Sequence, residues 1–170
     1  MEKREIVWDL SEMFPSTTDP SIEKAIGDLA KVVEGFAGRY QGNIKNLSDH
    51  DLLHCIEEFE AYRAKLEEIT LYAELSYAAN MTLPDTQLLH ERANSTKAKL
   101  NQRLAFFELE LGNLVLQKPE KILSPALKNY RHFLEKLQRR VPHQLTETEE
   151  KLVIQKDRFG VQAWEQLQGK

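Results

Sequence analysis

Apolar residues recur along this chain at the three- and four-residue spacing of a helix face, and no segment carries a convincing strand pattern. The first stripe is Ile22, Ile26, Leu29, Val33 and Phe36. It follows Asp19-Pro20, an N-cap residue with proline at the first helical position. Gly38 and Gly42 are expected to end this helix near Tyr40. Ser48, with Asp51 three residues on, opens a second helix in a capping-box arrangement. Its stripe runs Leu52, Cys55, Phe59, Tyr62, Leu66, Ile69, Ala73 and Ser76, to about Asn80.

Pro84 opens a third helix with the stripe Leu89, Ala93, Thr96, Leu100, Leu104, Phe107 and Leu111, and Gly112 reads as its end. At a rise of about 1.5 Å per residue, the helices over 48–80 and 84–112 each reach roughly 45 Å. The short connection Met81-Thr82-Leu83 makes them an antiparallel pair. Shorter segments flank them. Pro119 and Pro125 each read as helix starts, with Ser124 capping the second. Tyr130, Phe133, Leu134 and Leu137 share a face, Pro142 breaks the chain, and Thr146 with Glu149 forms another capping box ahead of Leu152-Val153. Gly160 marks a break before Ala163, Trp164 and Leu167. The pattern predicts an all-α fold, an antiparallel helical bundle with two long central helices. An irregular arm over 1–18 is pinned by Trp8, Leu10, Met13 and Phe14, and one helical lobe spans 19–170.

Composition sharpens this picture. Hydrophobic residues are 41% and charged residues 29% of the chain, the balance of a folded protein. With only 7 glycines and 6 prolines, helices meet few breakers. A net charge of -4 supplies no field that draws the chain to nucleic acid or anionic lipid. Its one basic cluster, Lys136 with Arg139-Arg140, fits a helix C-terminus, where cations are favoured. Neither a signal peptide nor an apolar run long enough to span a bilayer is visible. The single cysteine, Cys55, forms no internal disulfide and lies on an apolar stripe, as a core residue would. The expected compartment is the cytoplasm.

Candidate chemistry is sparse. His50-Asp51-Leu52-Leu53-His54 spaces two histidines as the zincin motif His-Glu-x-x-His does, but Asp51 stands in place of the glutamate that polarises water. The positive end of a helix dipole is also a poor place to gather a dication. Glu57, Glu58 and Glu74 are available as further ligands, but no spacing fixes any of them. Solvated surface histidines are the simpler reading. In His90-Glu91-Arg92-Ala93-Asn94 the second histidine is replaced by Asn94, a weak zinc ligand. His132 and His143 stand alone in sequence. The Glu-rich stretches 57–60 and 147–150 read as solvated faces. Tyr72, Tyr77 and Phe106-Phe107 form either core or the lining of a peptide cleft, with core preferred. No catalytic, cofactor-binding or metal-binding residue is assigned.

Several segments in order resemble the N-terminal region of oligoendopeptidase F-type peptidases, relatives of the thimet-type zinc oligopeptidases. They are Trp8-Asp9-Leu10-Ser11 with Phe14-Pro15; Phe106-Phe107-Glu108-Leu109-Glu110; Tyr130-Arg131-His132-Phe133-Leu134; Pro142-His143-x-Leu145-Thr146 with Glu149-Glu150-Lys151; and Gly160-x-x-Ala163-Trp164-x-x-Leu167. The resemblance implies a largely helical clamshell whose long cleft admits short unfolded peptides. It implies that this lobe forms part of the wall opposite the metal. Zinc would be bound by His-Glu-x-x-His and a distal Glu in a C-terminal catalytic domain, the lobe's partner in the same chain. It implies a non-catalytic lobe with no cofactor of its own, either an expressed fragment or a gene product without its peptidase half, and an exposed apolar patch where the catalytic part docks. Two readings compete with it. One is a free-standing helical interaction module that binds a partner helix or itself through an amphipathic groove. The other is a small metalloenzyme built on His50 and His54.

Overall fold

The computed structural model describes residues 9–160 and Trp164, with the side chains of Arg158 and Phe159 excepted. Among the described residues six α-helices carry the fold: α1 (Pro20–Tyr40), α2 (Asp49–Ala79), α3 (Pro84–Arg103), α4 (Ala105–Gln117), α5 (Arg131–Arg140) and α6 (Glu147–Phe159). Short 3-10 turns at Ile44–Asn46, Pro119–Leu123, Pro125–Tyr130 and Val141–His143 join them. No strand occurs among the described residues, and the architecture is all-α.

The apolar stripes become the core almost position for position. Ile22, Ile26, Leu29, Val33 and Phe36 are buried along α1, and Leu52, Cys55, Tyr62, Leu66, Ile69, Ala73 and Ser76 along α2. Asp19 accepts from the Ser21 N–H at 2.8 Å, and the Ser48 hydroxyl accepts from the Asp51 N–H at 3.1 Å. The Asp51 carboxylate takes the Ser48 hydroxyl proton at 2.6 Å and leaves the cap backbone N–H alone, so the second half of that box is missing. At Thr146 the box is complete. α1 ends at Tyr40, and Gly42 supplies the one positive φ, +79°, among the described residues. Gly38 stays inside the helix.

Cross-helix pairs fix the directions of the first three helices. Tyr77 stacks on His90 near the α2–α3 turn, and farther along Tyr62 donates to Asn101 at 3.1 Å. These two helices therefore run antiparallel, as expected. Glu23 pairs with Arg92 and Glu34 with Arg103, each partner 69 positions on. α1 and α3 thus run parallel in a fixed register, with the two ion pairs three turns apart. The Asn80 carbonyl and side chain tie the turn, accepting from Thr86 Oγ1 at 2.7 Å and Thr82 Oγ1 at 2.8 Å.

Two expectations are corrected. The helix expected over 84–112 is two helices, broken at Leu104 (φ -102°, ψ 8°). α3 is polar apart from one stripe. α4 is enclosed on several sides, burying Phe106, Phe107, Leu111, Leu114 and Val115, and the break re-aims the chain so that both phenylalanines enter the core. Gly112 does not end a helix: α4 runs through it to Gln117, and the missing side chain makes room for Val141. Pro119 and Pro125 open short helices as expected, both of the 3-10 kind. Ser124 stands at the N-cap of the second, but its side chain makes no cap bond; its hydroxyl donates to Asp49 Oδ2 at 2.6 Å, joining that turn to the start of α2.

In the arm, Phe14 is buried against Tyr72, with ring centroids 5.0 Å apart, and Leu10 and Met13 pack beside it. Trp8, Ala163 and Leu167 lie outside the described residues.

Candidate functional site

Tyr72, Phe106 and Phe107 take the preferred core reading, and Tyr77 is half-buried. Tyr72 is buried under Phe14, and Tyr77 is covered by the His90 ring at 4.5 Å and 10°. None of these four lines a cleft. The aromatic surface lies instead at Phe59, Tyr130 and Phe133, three half-buried residues. Phe59 stands at the edge of the α2 stripe, and its ring stacks on Phe107 at 4.0 Å and 23°. Phe36 backs the pair at 5.6 Å from Phe107. One side of Phe59 thus belongs to the core and its edge faces outward.

That edge borders two adjoining hollows. The first, about 290 Å³, is walled by Ile56, Phe59, Tyr130 and Phe133 between α2 and the start of α5. The second, about 210 Å³, lies where the α3–α4 break meets α6, and Asn101, Leu104, Gln144 and Ile154 line it. Phe59, Arg63 and Glu108 are common to both. A third hollow, about 750 Å³, continues between α3 and α6 and shares Ile154 with the second. Lys99 and Lys156 stand on its rim beside Leu152. The first two form one groove between α2, α4, α5 and α6, and the third meets it at Ile154. α2 supplies Phe59 and Arg63 from one face because they are four residues apart.

Polar groups along the first two hollows are largely tied. Tyr130 donates to Glu60 Oε2 at 2.6 Å, and that carboxylate pushes the phenol pKa up to about 12. The Tyr62 hydroxyl is likewise pushed up to about 12, by burial. Arg140 Nη1 reaches Glu108 Oε2 at 3.3 Å, and Glu150 accepts the Leu145 N–H at 3.3 Å. These groups hold shape and can offer hydrogen bonds. None pairs a nucleophile with a base.

The histidines do not form a metal centre. His50 and His54 are exposed on the first turns of α2, and His54 Nε2 lies 3.4 Å from Glu58 Oε1, which also accepts from Arg39 through its other oxygen at 2.7 Å. No third ligand converges there, and among the described residues no group of three His, Cys, Asp or Glu side chains is placed to hold a metal ion. The residues present do not fit zinc. His90 is half-buried, and burial holds its pKa below the usual imidazole value. Its neutral Nε2 accepts from the Asn94 amide at 3.1 Å, which explains why an amide follows it four residues on. His132 and His143 are exposed. Burial pushes the Cys55 thiol up to about 12, as befits a core residue.

Apolar side chains also reach solvent near the end of the described chain. Leu145, Leu152, Val153 and Trp164 are all exposed, Trp164 at 66%. No helix among the described residues is long and apolar enough to cross a membrane.

Residues 110–170, from within α4 to the end of the chain, match the family model for the N-terminal region of M3 peptidases, described as oligopeptidase F. Group B oligopeptidase PepB of Streptococcus agalactiae is 28% identical over 148 residues, 86% of this chain and 24% of that protein. Oligopeptidase PepF of Bacillus subtilis is 24% identical over 161 residues, 90% of this chain and 22% of that protein. The chain therefore spans less than a quarter of the length of these relatives. No solved structure matches it at a significant level. The matches cover the groove-forming segments as well as the α1–α2 pair, and the similarity is to the N-terminal region of oligopeptidase F-type peptidases.

Proposed function

We propose that this chain is the non-catalytic N-terminal lobe of a cytosolic zinc oligoendopeptidase that hydrolyses short unfolded peptides, and that its groove is part of the wall and size filter of the substrate cleft. The observation that carries this reading is the match of residues 110–170 to the oligopeptidase F model. Those residues include Tyr130, Phe133, Arg140 and Ile154 of the groove. A groove with an aromatic floor and fixed hydrogen-bonding groups suits an extended peptide, which brings both apolar side chains and backbone amides. The narrow hollows admit single side chains and exclude a folded domain.

In this reading zinc and the hydrolytic residues belong to a C-terminal catalytic domain of the same chain, and this lobe supplies no step of the chemistry. The exposed Leu145, Leu152, Val153 and Trp164 form the face against which that domain packs. The test is cleavage of a short internally quenched peptide by the protein expressed from its whole reading frame, with and without a chelator. Chelator-sensitive cleavage that is lost when the lobe is deleted is expected. A reading frame without peptidase activity, or full activity without the lobe, rejects the proposal.

A further inference from the structure

Arg63 is the one charged side chain of the first two hollows without an ionic or hydrogen-bonded partner among the described residues. Glu60 receives the Tyr130 hydroxyl, Glu108 and Arg140 satisfy each other, and Glu150 takes a backbone N–H. Arg63 lines both hollows, beside the outward edge of Phe59. A guanidinium is a planar fork of donors that matches a carboxylate through two parallel hydrogen bonds. Directly next to it, Ile56, Phe59 and Phe133 wall a hollow of about 290 Å³, room for one apolar side chain. One turn back on the same face of α2, Glu60 has a second oxygen, Oε1, free to accept an amide N–H.

Resting on the peptide reading above, we propose that Arg63 anchors the terminal carboxylate of a short peptide whose last side chain, an apolar one, fills the hollow of Ile56, Phe59 and Phe133. The amide N–H of that last residue goes to Glu60. Anchoring a chain end at a fixed place on the wall measures peptide length from that end. Cleft dimensions alone do not provide such a ruler.

The experiment is fluorescence anisotropy on the protein with three labelled peptides. One ends in leucine as the free acid, the second is its C-terminal amide, and the third is an amide carrying an internal glutamate. The free acid is expected to bind about tenfold more tightly than the amide, a difference equal to one strong charged contact. Arg63→Gln removes that difference, Arg63→Lys retains part of it, and Phe133→Ala weakens acid and amide alike. Arg63 is exposed, so its variants are expected to keep the fold, and circular dichroism checks this. Equal binding of acid and amide by the unaltered protein overturns the anchor while leaving the peptide groove standing. Binding of the internal-glutamate amide as tightly as the free acid overturns the assignment to a chain end. If none of the peptides binds, both the anchor and the groove reading fall.

Discussion

A methyl group placed on Gly112 would meet Val141 Cγ2 at 2.9 Å, closer than carbon atoms pack. Gly112 lies in the interior of α4, where alanine is ordinarily better by about 0.8–1 kcal/mol. Here the turn Val141–His143 presses on the helix, and overpacking of this kind costs roughly 1–3 kcal/mol. Gly112→Ala is expected to lower stability in urea unfolding. Gly27 and Gly38 on α1 face open space, and the same change there is expected to raise it by about 0.4–1 kcal/mol. A stabilised Gly112→Ala protein would show that the 141–143 turn yields freely.

Asp49 joins the start of α2 to the two 3-10 turns at Pro119–Leu123 and Pro125–Tyr130. Its carboxylate takes Lys121 Nζ and the Ser124 hydroxyl, and Lys121 also reaches the Leu47 carbonyl at 3.3 Å. The Lys121 hydrogen bond, helped by that of Ser124, holds the carboxyl pKa below its ordinary value. A depressed carboxylate contributes stability that is present above the unfolded pKa of about 3.9 and is lost as pH falls through the folded value. Asp49→Asn is therefore expected to destabilise at pH 7 and to flatten the acid limb below pH ~4 in a plot of urea midpoint against pH. Parallel acid limbs for the two proteins would remove Asp49 from this role.

His90 gives the opposite kind of titration. Burial against Tyr77 lowers its pKa, so the fold prefers the neutral ring. The unfolded chain takes up the proton first, and stability declines as pH falls from the ordinary imidazole value of about 6.5 toward the lower folded one. Nuclear magnetic resonance titration is expected to place the His90 midpoint below the ordinary imidazole value of about 6.5. A His90→Phe variant keeps the stacked ring and is expected to lose less stability between pH 7.5 and pH 5.5, on the order of the shift itself. An unshifted His90 midpoint would refute this.

Cys55 is fully buried and its thiol is pushed up to about 12. Thiolate is the reactive species, so a disulfide reagent at pH 8 is expected to label the folded protein at the rate of global or local opening only. Labelling in urea is expected to be complete within the mixing time of an ordinary thiol assay. Rapid labelling of the folded protein would place the thiol at the surface.

The stripes on α1 and α2 were legible because nothing competes with a helical period that runs unbroken between a cap and a turn. Asp19, Ser48 and Thr146 all cap their helices, although only Thr146 completes its box, since capping is decided within four residues. Leu104 was not legible: the stripe from Leu89 to Leu111 passes through the break with its period intact, and no glycine or proline marks it. Gly112 misled because a glycine that ends a helix and one that yields to a neighbouring turn look alike in sequence. Ser124 misled because its partner, Asp49, is 75 residues away. The groove escaped for the same reason. Phe59 reads as one more stripe residue until α5 and α6 are in place beside it, and Arg63 as one more solvated cation until its neighbours are seen to be paired.

The enclosure of α4 has a consequence in time. Its amides are covered by α3, α5, α6 and the 3-10 turns together, and exchange with deuterated water requires several of these contacts to part at once. α6 packs on α3 and α4 through one side only and leaves Leu152 and Val153 in solvent. It is expected to open before α4, so that the groove wall it provides exchanges early while the floor, with Phe107 beneath Phe59, keeps its protons until the whole lobe unfolds.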